Sequence, residues 1–392
     1  MSEIAHLFTS ITANYLPKAR VLAHSAKQQS TLVQFHVLLC DDYPADAERA
    51  TEPFDSIIDV KELPIPDLEP WLFGHTVVEM CTAVKAMGFL EIARRFAAEK
   101  IFYFDPDIVI FSGLQGLIDR LDQHSILLTP HQTLPEQSLD AVIDNEIGSL
   151  KHGVFNLGFL GVRTSEQGRQ FLNWWAERLQ HFCHDDIAGG LFTDQRWIDL
   201  APAFFSDIGI LREPGYNVAT WNLTHRHAAG SLERGITING EPLRFYHFSG
   251  FDGGAQEIML KKYAARDSVL FDLRRWYIAE CQRLGQEQLG SRPCRYHAFD
   301  NGEPITRAQR ILYRARLDLR RAFPHPFQTA GDSYSQWFRL NVANRDNQDE
   351  TTDEDALIRA QLFDARRELD LIKRSRSWRL ARAIARVFNA FR

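Results

Sequence analysis

Short apolar runs rich in β-branched and aromatic residues alternate with helical periodicity over roughly residues 5–275, and this alternation constrains the fold most. Leu32–Cys40, Ile57–Val60, Ile101–Phe104, Ile108–Phe111, Ser125–Thr129, Phe155–Val162 and Leu243–Phe248 read as strands. Between them, Thr76–Phe96 places Val77, Met80, Cys81, Val84, Met87 and Leu90 near 3.6-residue spacing and reads as one helix. Ser165–His181 reads as another, with Ser165 as its N-cap. Strands taken in turn with helices predict an α/β fold with a largely parallel central sheet.

The pattern changes after about residue 276. Arg-rich helical segments such as Arg307–Arg321 follow, then the acidic, polar run Ala343–Asp355. The final stretch, Lys373–Arg392, holds seven basic residues and no acidic one. The expected organisation is therefore a catalytic domain over 1–275, a helical extension over 276–342, an acidic linker over 343–356 and a basic helix over 357–392. On a helical wheel Leu380, Ile384, Val387, Phe388 and Phe391 share one side, opposite Arg379, Arg382 and Arg386. Such a helix suits peripheral contact with an anionic membrane.

A net charge of -6 argues against a nucleic-acid partner. Five scattered cysteines without a CxxC pair predict reduced thiols and a cytoplasmic protein. The first residues, MSEIAHLFTS, lack an apolar leader segment, and no apolar run reaches bilayer-spanning length.

Chemistry concentrates where Ile101–Phe104 ends in Asp105-Pro106-Asp107. Open α/β sheets bind ligands beyond the C-terminal ends of their strands. Two carboxylates this close raise each other's pKa unless a cation neutralises them, and a divalent metal bridging to a diphosphate supplies one. His247 closes a second apolar run and offers a ring nitrogen as a third ligand, with Gly250 three residues on where backbone could approach a phosphate. Asp194-Gln195 is a third candidate pair, beside which Thr193 is a candidate N-cap of a short helix with Asp194 in its first turn. Asn156, in Phe155-Asn156-Leu157-Gly158, carries an amide suited to sugar hydroxyls.

Together these elements resemble the GT-A glycosyltransferases, and among them the retaining enzymes of glycosyltransferase family 8. The resemblance covers roughly residues 5–275, and the order of its motifs is what makes it specific. It implies that Asn14 and Tyr15 hold the nucleotide base, and that Lys85 is a basic residue near the donor. Asp105, Asp107 and His247 would bind Mn2+ or Mg2+, with Asp105 also facing the diphosphate. Asn156, Asp194 and Gln195 would line the sugar side as the catalytic group. One departure is plain: His247-Phe248-Ser249-Gly250 continues as Phe251-Asp252-Gly253-Gly254, without the Lys-Pro-Trp that the family often carries there.

The implied function is metal-dependent transfer of a sugar from a nucleotide sugar, with a UDP-sugar favoured, to a glycan, lipid-linked or protein acceptor in bacterial glycan or polysaccharide synthesis. Retention of configuration is favoured; inversion would require a carboxylate base, with Asp194 and Asp252 as candidates. Two other readings stand beside it. One is a nucleotide-sugar pyrophosphorylase, against which Ile11–Arg20 lacks a Gly-rich loop. The other is a non-catalytic GT-A-like protein that binds glycans or a partner. A homo-oligomer is compatible with all three.

Overall fold

The computed structural model describes residues 4–342. The acidic linker and basic C-terminal helix expected from the sequence lie outside the described residues. One compact unit comprises the described residues up to Ile65 together with Val77–Arg295; a second comprises Pro66–Thr76 and the described residues from Tyr296 onward.

The first unit is built on a seven-stranded sheet. In chain order its strands are β1 (Ala5–Ile11), β2 (Val33–Leu39), β3 (Ser56–Asp59), β4 (Lys100–Phe104), β6 (Ile126–Pro130), β7 (Phe155–Arg163) and β10 (Ile208–Ile210). Across the sheet the order is β10-β6-β7-β4-β1-β2-β3. Every neighbouring pair is parallel except the two made by β7. The fold is thus α/β with a largely parallel sheet, as the alternating pattern predicts.

The reason lies in the composition of the central strands. Ala5–Ile11 is buried along its whole length and Val33–Leu39 nearly so, as strands covered on both faces must be. The helix Leu16–Gln29 packs Leu16, Ala19, Leu22, Ala23 and Ala26 into the core with Leu7, Phe35 and Val37. Gly88 permits close approach on the sheet: a Cβ there would stand 2.7 Å from Phe8 Cε2.

Smaller pieces complete the unit. β5 (Ile108–Ile110) pairs antiparallel with β14 (Phe245–His247). Two-residue strands β8 (Asp185–Asp186) and β9 (Leu191–Phe192) pair with each other. β11 (Ala228–Ser231), β12 (Gly235–Ile238) and β13 (Glu241–Pro242) form a three-stranded antiparallel sheet. The helix Val269–Arg283 crosses residue 275 and buries Leu270, Leu273, Tyr277 and Cys281 beside Phe248 and Phe251. The same unit continues to Arg295.

Two expected helices are each divided. The segment expected as Thr76–Phe96 forms Val77–Ala83 and Lys85–Phe96, separated at Val84. Ser10 Oγ donates to the Cys81 carbonyl at 2.6 Å, the acceptor that an unbroken helix would offer to the Lys85 amide. Arg307–Arg321 forms Arg307–Ala315 and Leu317–Ala322, divided where Arg316 adopts extended backbone. Ser165 does cap its helix, accepting from the Gly168 amide at 3.2 Å.

The second unit gathers aromatic rings around Phe73: Tyr313 at 4.9 Å, Phe327 at 5.2 Å and Tyr334 at 5.4 Å between ring centres. Buried Arg310 donates to the carbonyls of Phe73, His75 and Tyr296 at 2.6–2.9 Å, which compensates the burial of its charge. All five cysteines are free thiols.

Candidate active site

β4 runs parallel to β1, so both deliver their following loops to the same edge of the sheet. β4 delivers Asp105 and Asp107; β1 delivers Thr12, Asn14 and Tyr15. The Asp105 amide donates to Gly158 O at 2.7 Å, which fixes the turn against β7. Pairing of β5 with β14 sets His247 opposite Ile108, and the Phe248 amide donates to Asp107 O at 2.8 Å. The imidazole is thereby brought over the two carboxylates.

His247 Nε2 lies 3.1 Å from Asp107 Oδ1 and 3.8 Å from Asp105 Oδ2. One ligand atom from each of the three residues falls within 4.8 Å of the others. Asp105 and Asp107 are 27% and 20% exposed, so the cluster opens to solvent on one side. Burial alone would raise the Asp107 pKa, yet the facing His247 and nearby Lys18 hold it below the usual range. Burial likewise opposes charge on His247, and the two aspartates outweigh it and raise its pKa. Two carboxylates and one imidazole form a donor set suited to a divalent cation. His247 Nδ1 is buried without a hydrogen-bond partner, which leaves Nε2 as the ring nitrogen turned to the carboxylates. The residues present therefore fit the metal.

Lys85 is a buried cation of the site, 3% exposed, with Nζ 3.0 Å from Asp194 Oδ2, 3.3 Å from Asp105 Oδ1 and 2.9 Å from Leu157 O. Burial disfavours its charge; Asp105 and Asp194 more than compensate and raise its pKa. Asp194 is raised instead, because burial exceeds the benefit of Lys85 and of the Thr193 hydroxyl donating at 3.0 Å. Thr193 does not N-cap the helix Gln195–Ile198 as expected: Asp194 holds the cap position and makes no side-chain cap bond. Thr193, next to Asp194, adopts left-handed backbone, φ 44°, a strained state for a β-branched residue.

Asn156 and Gln195 are held by the protein itself. Asn156 Oδ1 accepts from the Gly158 amide at 3.1 Å and from Asn217 Nδ2 at 3.0 Å, while its Nδ2 faces His131 Nε2 at 3.2 Å. Gln195 Oε1 accepts from the Leu157 amide and its Nε2 donates to His152 O, both at 2.9 Å. Gly250 has φ 72°, the left-handed geometry of the turn after β14, where glycine is favoured.

Beside the carboxylates lies a cavity of about 210 Å3 lined by Ser10, Ile11, Thr12, Tyr15, Val77, Val78, Cys81, Thr82, Tyr103, Asp105, Pro106 and Asp107. Tyr15 is among its walls; Asn14 instead accepts from the Thr12 hydroxyl at 2.6 Å. Sequence reasoning missed several residues here. Lys18 shares surroundings with Tyr15 and Asp252; His131, Asn217 and Trp221 surround Asn156 and His247. Burial lowers the His131 pKa to about 4. None of these belongs to a short local pattern. The one available signal was Lys18 itself, a lysine three residues after Tyr15 and near a helix start.

No family model matches this chain. Two curated relatives are "Uncharacterized protein YfnD" and "Uncharacterized protein YfnF", both of Bacillus subtilis (strain 168). YfnD is 25% identical over 252 residues, 63% of this chain and 78% of that protein. YfnF is 26% identical over 155 residues, 39% of this chain and 50% of that protein. Among solved structures, the chain is similar to the galactosyltransferase LgtC in complex with donor and acceptor sugar analogs: 17% identity, TM-score 0.42, covering 74% of this chain and 98% of that one. It is also similar to a glycosyltransferase involved in glycosylation of the major capsid of PBCV-1: 9% identity, TM-score 0.37, covering 65% and 98%.

Proposed function

We propose that this chain is a metal-dependent glycosyltransferase of the GT-A kind, related to the retaining family 8 enzymes. It moves a sugar from a nucleotide sugar, a UDP-sugar being favoured, to a glycan, lipid-linked or protein acceptor. The observation that supports this reading best is the Asp105–Asp107–His247 cluster at the rim of the cavity walled by Tyr15, Ile11 and Val77. Aromatic and aliphatic walls suit a base, and carboxylates awaiting a cation suit a diphosphate.

In this reading Asp105, Asp107 and His247 hold Mn2+ or Mg2+. When bound, the cation supplies Lewis-acid stabilisation of charge on the departing diphosphate. Lys85, locked by Asp105 and Asp194, contributes a fixed positive charge that needs no reorganisation during reaction. Asn156 and Gln195 hold the β7 wall and keep His247 and Lys85 in place through Gly158 and Leu157. Under retention the departing phosphate takes the acceptor proton, so no side-chain base is required. That agrees with buried Asp194 being engaged by Lys85.

Among the described residues no helix is long and apolar enough to cross a membrane. A cytoplasmic enzyme meeting a lipid-linked acceptor through the basic C-terminal segment belongs to the same proposal. The direct test is release of UDP from UDP-glucose and UDP-galactose, with and without manganese, alongside thermal shifts with nucleoside diphosphates. Metal-dependent release or stabilisation is expected. No shift with any nucleoside diphosphate in manganese would reject the reading.

A further inference from the structure

Lys18 is placed against ordinary helix electrostatics. It lies in the first turn of Leu16–Gln29, a turn without an acidic residue, where a cation opposes the helix dipole. Its side chain is only 3% exposed. The ammonium stands 3.6 Å above the centre of the Tyr15 ring and 5.0 Å from that of Phe251. A lysine packed between two rings has little rotamer freedom left to lose on binding an anion.

Its ionic partner is unusual. Lys18 Nζ donates to Asp252 Oδ2 at 2.6 Å, and that carboxylate is 52% exposed on the loop following β14, the strand of His247. Lys85 differs, because it is held by two carboxylates, Asp105 and an Asp194 as buried as itself. The other lysines of the segment after β14 are paired elsewhere, Lys261 with Glu257 and Lys262 with Asp144. Lys18 therefore combines a buried, ring-held ammonium with a solvent-facing counter-ion. The Tyr15 ring beneath it walls the cavity that also contains Asp105 and Asp107.

We propose that Lys18 is the diphosphate-binding cation on the Tyr15 side of this cavity, and that Asp252 is a placeholder anion which the ligand phosphate displaces. The inference rests on the nucleotide-sugar reading above and assigns the residue that grips its phosphates. Burial disfavours charge on Lys18, but Tyr15, Asp252 and Asp107 together raise its pKa while the pair is formed, and an incoming phosphate would supply the anion that Asp252 gives up.

The test is calorimetric titration of the full chain in manganese with UDP, GDP and ADP, and with the nucleoside matching the tightest of them. Lys18→Met keeps most of the stem that packs on the rings and removes the charge. It should weaken the diphosphate about tenfold to a hundredfold, the effect of one charged hydrogen bond, and leave the nucleoside little changed. Asp252→Asn should move diphosphate affinity the other way, because a competing anion is gone. Lys18→Arg should retain most binding and carries the test with Asp252→Asn if Lys18→Met fails to fold. Equal diphosphate affinity in Lys18→Met and wild type overturns this inference alone. Weakening by both Lys18→Met and Asp252→Asn makes the pair structural and overturns it too. Wild-type protein that binds none of the diphosphates removes the donor reading and this inference together.

Discussion

His247 Nε2 stands 3.1 Å from Asp107 Oδ1 because an antiparallel pairing sets His247 opposite Ile108. The contact is a consequence of strand register. Side chains alternate faces along a strand, so a slip of one residue in β14 would turn the imidazole away from both carboxylates. The position of the imidazole over Asp105 and Asp107 is thus set by the pairing of β5 with β14.

Removing the cluster's ligands should separate binding from folding. Asp105→Ala and Asp107→Ala should lower manganese-dependent nucleoside diphosphate affinity by about tenfold to a hundredfold, in line with loss of a charged contact. Both should melt near the wild-type temperature, because each carboxylate is partly exposed. His247→Ala should weaken binding less. Calorimetry with and without manganese measures this, and wild-type affinity in all three variants would dismiss the site.

Gly158 should be intolerant of a methyl group. A Cβ there would lie 2.5 Å from His247 Cε1, 2.7 Å from His247 Nδ1 and 2.8 Å from Asn156 Oδ1. Gly158→Ala must displace the imidazole or β7, costing about 1–3 kcal/mol of stability as overpacking does. Manganese affinity should fall with the melting temperature. A variant with full metal affinity would show that the ring position is not set by this contact.

Much of the fold was legible because its strands are short, apolar and bounded by polar turns; even the N-cap at Ser165 could be read. The division at Val84 was not, since it depends on Ser10, a residue distant in sequence, taking a helix carbonyl. The carboxylates and His247 were legible as strand-end residues. Thr193 suggested a cap because a threonine just before a helix start often is one, whereas the structure gives it left-handed backbone and sets Asp194 at the cap position. His131, Asn217 and Trp221 could not be read, because their proximity to the site is created by tertiary packing alone, whereas Lys18 carried a signal in its place three residues after Tyr15.

The Lys85–Asp194 pair should behave as one unit. Lys85→Met leaves Asp194 buried without its cation, and breaking a buried pair costs about 3–5 kcal/mol. Lys85→Met combined with Asp194→Asn should therefore lose less stability than the two single changes added together. A double-mutant cycle by urea unfolding measures the coupling. Simple additivity would mean that Lys85 is held chiefly by Asp105 and the Leu157 carbonyl.

Acid should destabilise the protein through a histidine pair remote from the metal cluster. His36 Nε2 lies 3.0 Å from His6 Nδ1, and His36 Nδ1 lies 2.8 Å from Ser56 Oγ, inside the sheet. Burial, then the neighbouring His6, lowers the His36 pKa from 6.5 to about 3, and burial lowers that of His6. The folded state therefore binds fewer protons than the unfolded chain between those values. The contribution is intact above the unfolded pKa of 6.5 and is lost as pH falls toward about 3. His36 alone accounts for about 2 kcal/mol of loss by about pH 5. His36→Asn, whose amide can still meet Ser56, should show a smaller drop in melting temperature between about pH 7.5 and about pH 5. An identical drop in variant and wild type would assign the acid sensitivity to other groups.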